Sequence, residues 1–93
     1  MDIEELKRMI DERAKEKQLH LKDPNSIEVG YKELNPMIHI VFSISVWRSQ
    51  KWFDIRTWVL GNSGWKPTRK GLHLSIDGYK EFKKELEKLE SFI

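Results

Sequence analysis

Cysteine is absent from these 93 residues, which excludes disulfides, a thiolate zinc site and a cysteine nucleophile, and suits an intracellular protein. No stretch approaches the roughly 20 apolar residues that a membrane-spanning helix needs, so no membrane partner is expected. The opening Met1-Asp2-Ile3-Glu4-Glu5 lacks the basic start and apolar run of a signal peptide, and the chain reads as soluble. Histidine is scarce: His20, His39 and His73 have no metal-ligand spacing, so neither a metal nor another cofactor is expected. The one glycine pair close together, Gly61-Asn62-Ser63-Gly64, is a turn signal and too short to cradle a phosphate. Asp54 has no second carboxylate in register for acid–base work and has Arg56 as a ready counter-ion. These absences argue against an enzyme.

What the chain does have is concentrated. All four tryptophans (Trp47, Trp52, Trp58 and Trp65) fall within 19 residues. Six cations, Arg48, Lys51, Arg56, Lys66, Arg69 and Lys70, are threaded among and just after them, against the single acid Asp54. Residues 47–70 therefore carry +5 in a chain whose total is +2, leaving −3 for the remainder. Aromatic planes stack on bases and cations hold phosphates, so this composition points to a surface for single-stranded nucleic acid. A chain of this length makes one domain with a modest core. Association, most simply as a homodimer, would supply buried area that the monomer lacks.

Periodicity sets the order of elements. Ile3, Leu6, Met9, Ile10 and Arg13/Ala14 recur at spacings of three and four, which predicts a helix over 2–17 with Asp2 as its N-cap. Asp23-Pro24-Asn25-Ser26 is a loop signal. Ile27, Val29 and Tyr31 alternate with polar residues, and Asn35-Pro36 marks a turn. Strict alternation from Ile38 to Trp47 predicts a strand, Arg48-Ser49-Gln50 a hairpin connection, and Phe53, Ile55, Thr57 and Val59 the next strand. Trp65 to Thr68 extends toward a short last strand at Leu72-His73-Leu74. Ser75 can cap a final helix whose stripe is Tyr79, Phe82, Leu86, Leu89 and Phe92/Ile93. The fold class is α+β: helix, four strands, helix. The division expected is an N-terminal helical extension over 1–22 and a nucleic-acid-binding domain over 23–93.

One sheet face is oily (Ile38, Ile40, Phe42, Ile44, Val46, Phe53, Ile55, Val59), and the C-terminal helix is expected to cover it. The other displays Ser43, Ser45, Trp47, Trp52, Asp54, Arg56 and Trp58. A tryptophan in a small β protein is more often core or interface than ligand contact. The N-terminal helix and a dimer interface are competing claimants on this face. Two of the four tryptophans, Trp47 and Trp58, are the candidates for stacking on bases. The lysines of the last helix interleave with glutamates and read as a solvated face. The cations at 66–70 have no acidic company, and their mutual repulsion is relieved by an anion such as phosphate.

Asp54-Ile55-Arg56-Thr57-Trp58, a short Gly-containing loop, then Lys66-Pro67-Thr68-Arg69-Lys70-Gly71-Leu72-His73-Leu74 resembles the signature of the positive cofactor four family. Its members are transcriptional coactivators with a single-strand-binding C-terminal domain. The resemblance covers roughly residues 40–90. It implies a four-stranded antiparallel sheet followed by one helix, paired as a homodimer. Single-stranded DNA would lie across the sheets, duplex DNA would bind more weakly, and the transcription machinery becomes a partner. By position in the motif, Arg56 would contact phosphate from the strand face, and Lys66, Arg69 and Lys70 would form the basic segment entering the last strand. Trp47 occupies the place of a stacking aromatic, with Arg48 and Lys51 as neighbouring cations. Thr68 stands where the family has glycine, so a positive φ there would be strained. Val59 stands where a stacking tryptophan is frequent, which passes stacking to Trp58 or Trp65. The missing Ser- and Lys-rich tail is similar to compact bacterial or phage relatives. The expected location is the cytoplasm, in association with the nucleoid, in a bacterium, or the nucleus in a eukaryote. A protein-interaction module using the same tryptophans and arginines, and single-stranded RNA as ligand, are the alternatives.

Overall fold

Asp2 begins the first helix as its N-cap: its Oδ1 accepts the Glu5 N–H at 2.8 Å. In the computed structural model, which describes residues 1–13 and 18–93, this helix is α1 (Ile3–Arg13). Leu6 and Ile10, one turn apart, are its buried residues. The expected continuation to residue 17, with Ala14 on the stripe, lies outside the described residues. Four strands follow, β1 (Ser26–Asn35), β2 (Ile38–Trp47), β3 (Gln50–Gly61) and β4 (Gly64–Ser75), and then α2 (Ile76–Glu90). The sheet order is β1-β2-β3-β4 with every pair antiparallel, as expected. Ser75 caps α2 by accepting the Gly78 N–H at 3.1 Å.

Strand β4 is longer than the short segment at 72–74 expected from sequence, because it runs unbroken from the Gly61–Gly64 turn to the α2 cap. A bulge absorbs the extra length: Arg56 faces Gly71, whereas Trp58 faces Pro67. A Cβ at Gly71 would lie 2.5 Å from the Ile55 carbonyl and 2.8 Å from the Arg56 Cα, so only glycine permits this approach. Thr68 sits inside the bulge without a positive φ. Its hydroxyl donates to the Thr57 carbonyl at 2.8 Å and accepts the Lys70 N–H at 3.2 Å, so threonine here satisfies the bulge without backbone strain.

The oily face is shared between the two helices. Leu6 and Ile10 of α1 pack with Ile27, Ile44 and Val46 over the β1–β2 half. The start of α2 meets the other half, with Tyr79 and Phe53 ring centroids 4.9 Å apart. The expectation that α2 buries its whole stripe here is corrected: none of its residues is buried, and Leu86, Leu89 and Phe92 are exposed. Once α1 occupies its half, α2 reaches the sheet only through its first turns and runs on past it. Phe42, Val59 and Leu72 on the same face remain exposed. We expect Gly71→Ala to destabilise the protein by about 1–3 kcal/mol in urea denaturation, because the methyl group has backbone on two sides and no flexible neighbour to displace.

Candidate nucleic-acid interface

The pairing of β2 with β3 fixes what the second face carries. His39 lies opposite Trp58, Val41 opposite Arg56, Ser43 opposite Asp54, and Ser45 opposite Trp52, with Trp47 and Gln50 closing the hairpin. Alternation puts all of these on the side away from Ile44 and Phe53. From β4 the register adds His73, opposite Asp54, and Trp65, opposite Leu60; from β1 it adds Tyr31, opposite Val41.

One end of this face is open. Trp47 is 58% exposed, and the Arg48 guanidinium carbon lies 5.6 Å from its ring centroid, a cation–π contact. Arg48 and Ser49 form the two-residue turn with φ of 51° and 60°, a left-handed pair that normally calls for asparagine and glycine. Trp52 stacks on His73 with ring centroids 5.1 Å apart and planes 9° from parallel. Among the described residues the Trp52 indole N–H is buried without a hydrogen-bond partner. Asp23, Asn25, Ser45, Trp47, Trp52 and His73 line one shallow hollow here.

The middle of the face is an ion pair. Arg56 Nε donates to Asp54 Oδ2 at 3.1 Å and its NH2 to Oδ1 at 3.0 Å, while NH1 donates to the Thr68 carbonyl at 3.0 Å. His73 Nδ1 reaches the same carboxylate at 3.4 Å. Arg56 therefore locks β3 to the bulge of β4, with its charge matched by Asp54.

The other end is closed. Chain leading into β1 crosses this face and seats His20 over it, 2% exposed. Its ring meets Tyr31, His39, Trp58 and Trp65 edge-on, with centroids 4.8 to 5.8 Å away. Beneath it His39 is sandwiched between Tyr31 at 4.8 Å and Trp65 at 4.1 Å. His20 Nδ1 donates to Glu28 Oε1 at 3.0 Å, and the His20 backbone N–H donates to the same oxygen at 3.0 Å. On the far side His20 Nε2 and His39 Nδ1 share a hydrogen bond of 2.8 Å.

The expected contact residues thus divide. Trp47 and Arg48 share the hairpin tip, and Arg69 and Lys70 are exposed on the bulge. Trp58, expected to stack on bases, is buried in the free protein, 8% exposed beneath His20. Lys51 pairs in register with Val46 and Lys66 with Val59, so alternation turns both toward the oily face. The Lys51 amine donates to the Met1 carbonyl. Sequence reasoning missed His20, Tyr31, His39 and the Trp52–His73 stack. For His39, the alternation shared with Trp47 was a usable signal; His20 belongs to no periodic element and gave none.

A four-stranded antiparallel platform with a helix leaving its last strand, and an aromatic and cationic hairpin at one end, defines a class of single-sheet β-platform proteins. The model of one such family, Transcriptional Coactivator p15 (PC4), matches residues 39–85, about half of the chain, and the chain belongs to that family. A solved structure titled "The crystal structure of MoSub1-DNA complex reveals a novel DNA binding mode" is similar in fold. The TM-score is 0.52 at 20% identity, over 81% of this chain and 87% of that one. No curated protein matches. The matched stretch begins at His39, so α1, the His20 segment and β1 precede it.

Trp58→Ala should cost about 3–5 kcal/mol in chemical denaturation, whereas Trp47→Ala should stay within about 0.5 kcal/mol of the parent. Ser49→Gly should raise stability by about 0.5–1 kcal/mol by removing one left-handed non-glycine residue, measured as a higher denaturation midpoint.

Proposed function

We propose that this protein is a homodimeric, sequence-tolerant single-stranded DNA-binding protein that acts by binding, without catalysis, in transcription regulation or DNA metabolism. The observation that carries the reading is the open end of the second face. There an exposed Trp47 carries Arg48 over its ring, next to the Trp52–His73 stack. An exposed ring beside a cation with no carboxylate partner among the described residues suits a base and its phosphate, and each stacked base contributes about 1–3 kcal/mol. Membership of a coactivator family supports the same reading, as does the DNA complex of the structure that shares the fold.

The unfinished oily face supports the homodimer. Phe42, Val59 and Leu72 on the sheet and Leu86, Leu89 and Phe92 on or after α2 are apolar groups that a second copy would cover. Sedimentation at micromolar concentration should give twice the monomer mass, and a monomer there would remove this part of the proposal.

Tryptophan fluorescence during titration with oligo-dT tests the ligand. Strong, salt-sensitive quenching is expected, much weaker with duplex of equal length, and oligo-rU reports whether RNA competes. With Arg48, Arg69 and Lys70 as the exposed cations among the expected contacts that do not turn toward the oily face, the log–log salt slope should be about −2. Lys70→Ala should reduce its magnitude by about 0.7, because that side chain is exposed and has no acidic partner among the described residues. Arg56→Ala should leave the slope nearly unchanged and lower stability instead, because its charge is held by Asp54. No quenching by any single strand would overturn the reading and turn the search to a protein partner.

A further inference from the structure

The closed end of the second face is built from the same materials as a base-binding site, and something already fills it. His20 is a flat nitrogen heterocycle held edge-to-face by Tyr31, His39, Trp58 and Trp65, with one ring nitrogen bonded to Glu28 and the other to His39. A pocket with aromatic walls and hydrogen-bonding groups at two ring edges is the means by which proteins hold an extruded nucleobase. We propose that this pocket is a second nucleobase site, occupied in the free protein by the chain's own His20, so that the segment Gln18–Lys22 is an intramolecular competitor of single-stranded nucleic acid. The inference rests on the proposed function and adds a regulatory element to it.

Two features make the segment displaceable. Among the described residues its hydrogen bonds run to two residues of the sheet: Glu28 accepts from the His20 ring and backbone and donates its N–H to Gln18 Oε1, and His39 Nδ1 shares a bond with His20 Nε2. Leu19 beside it is exposed, so the segment is anchored by His20 far more than by apolar burial. The open and closed ends also lie on one continuous face. Trp47 and His39 are eight residues apart on β2, roughly 26 Å by strand rise, so a strand seated at Trp47 and running along β2 meets His20 at the far end. With His20 in place the site is competent only in the fraction of molecules whose segment has lifted, and apparent affinity falls by that fraction.

The test compares the full-length protein with His20→Ala and Gln18→Ala in the oligo-dT titration, with thermal unfolding measured alongside. Gln18→Ala loosens the segment without touching the pocket, so it reports even where His20→Ala folds poorly. The expected result is that both variants bind more tightly, His20→Ala by about tenfold, with deeper quenching as Trp58 and Trp65 become accessible and with lower thermal stability. A purely structural His20 gives the opposite sign, lower stability with unchanged or weaker binding, and that outcome overturns the inference while leaving the proposed function intact. Absence of binding by the parent and both variants overturns both.

Discussion

Pairing of Ile38 with Val59 at one end and Trp47 with Gln50 at the other holds β2 and β3 in a single register. Because strand side chains alternate, a slip of one residue would exchange the two faces of the sheet. In the register observed, Ile44 and Phe53 share one side while His39, Trp58 and Trp52 share the other. The helices, the ion pair and the His20 segment are each answers to what that pairing exposes.

On the oily side the answer is incomplete. α1 touches β1 and β2 and α2 touches β3 and β4, and Phe42, Val59 and Leu72 farther along the strands stay exposed. The apolar surface left exposed there is what the proposed second copy would cover. On the other side the chain spends a short, irregular segment rather than a helix. His20 can lie there because Glu28 and His39 satisfy both ring nitrogens, which makes burial of an imidazole tolerable.

The face that results has three zones with different chemistry. Trp47 and Arg48 are held out on a strained two-residue turn, a cost that a chain tolerates where the side chains so displayed are useful. Asp54 and Arg56 form a bidentate bridge that ties β3 to the bulge in β4, so the arginine stabilises the platform more than it adds charge to it. Beyond the bridge the aromatic residues turn inward under His20. The family match begins within this zone, at His39, while the residue covering it comes from the stretch before.

Much of this was written in local sequence. The helix caps at Asp2 and Ser75, the alternation of β2, the hairpin at Arg48-Ser49 and the motif from Asp54 to Leu74 each depend on neighbours a few residues away, and each is where the residues predicted. The spare glycine at Gly71 was visible as part of a motif, but its reason, a backbone contact across strands, was not. Tertiary structure alone decided the rest. Trp47 and Trp58 look alike in sequence, on the same face of neighbouring strands, yet one is free and the other buried, because a segment with no periodicity folds back over one end. Arg56 and Lys70 carry the same charge, but only a carboxylate two residues along the same strand face neutralises the first. Periodicity reports which side of an element a residue occupies; what lies against that side is set by chain distant in sequence.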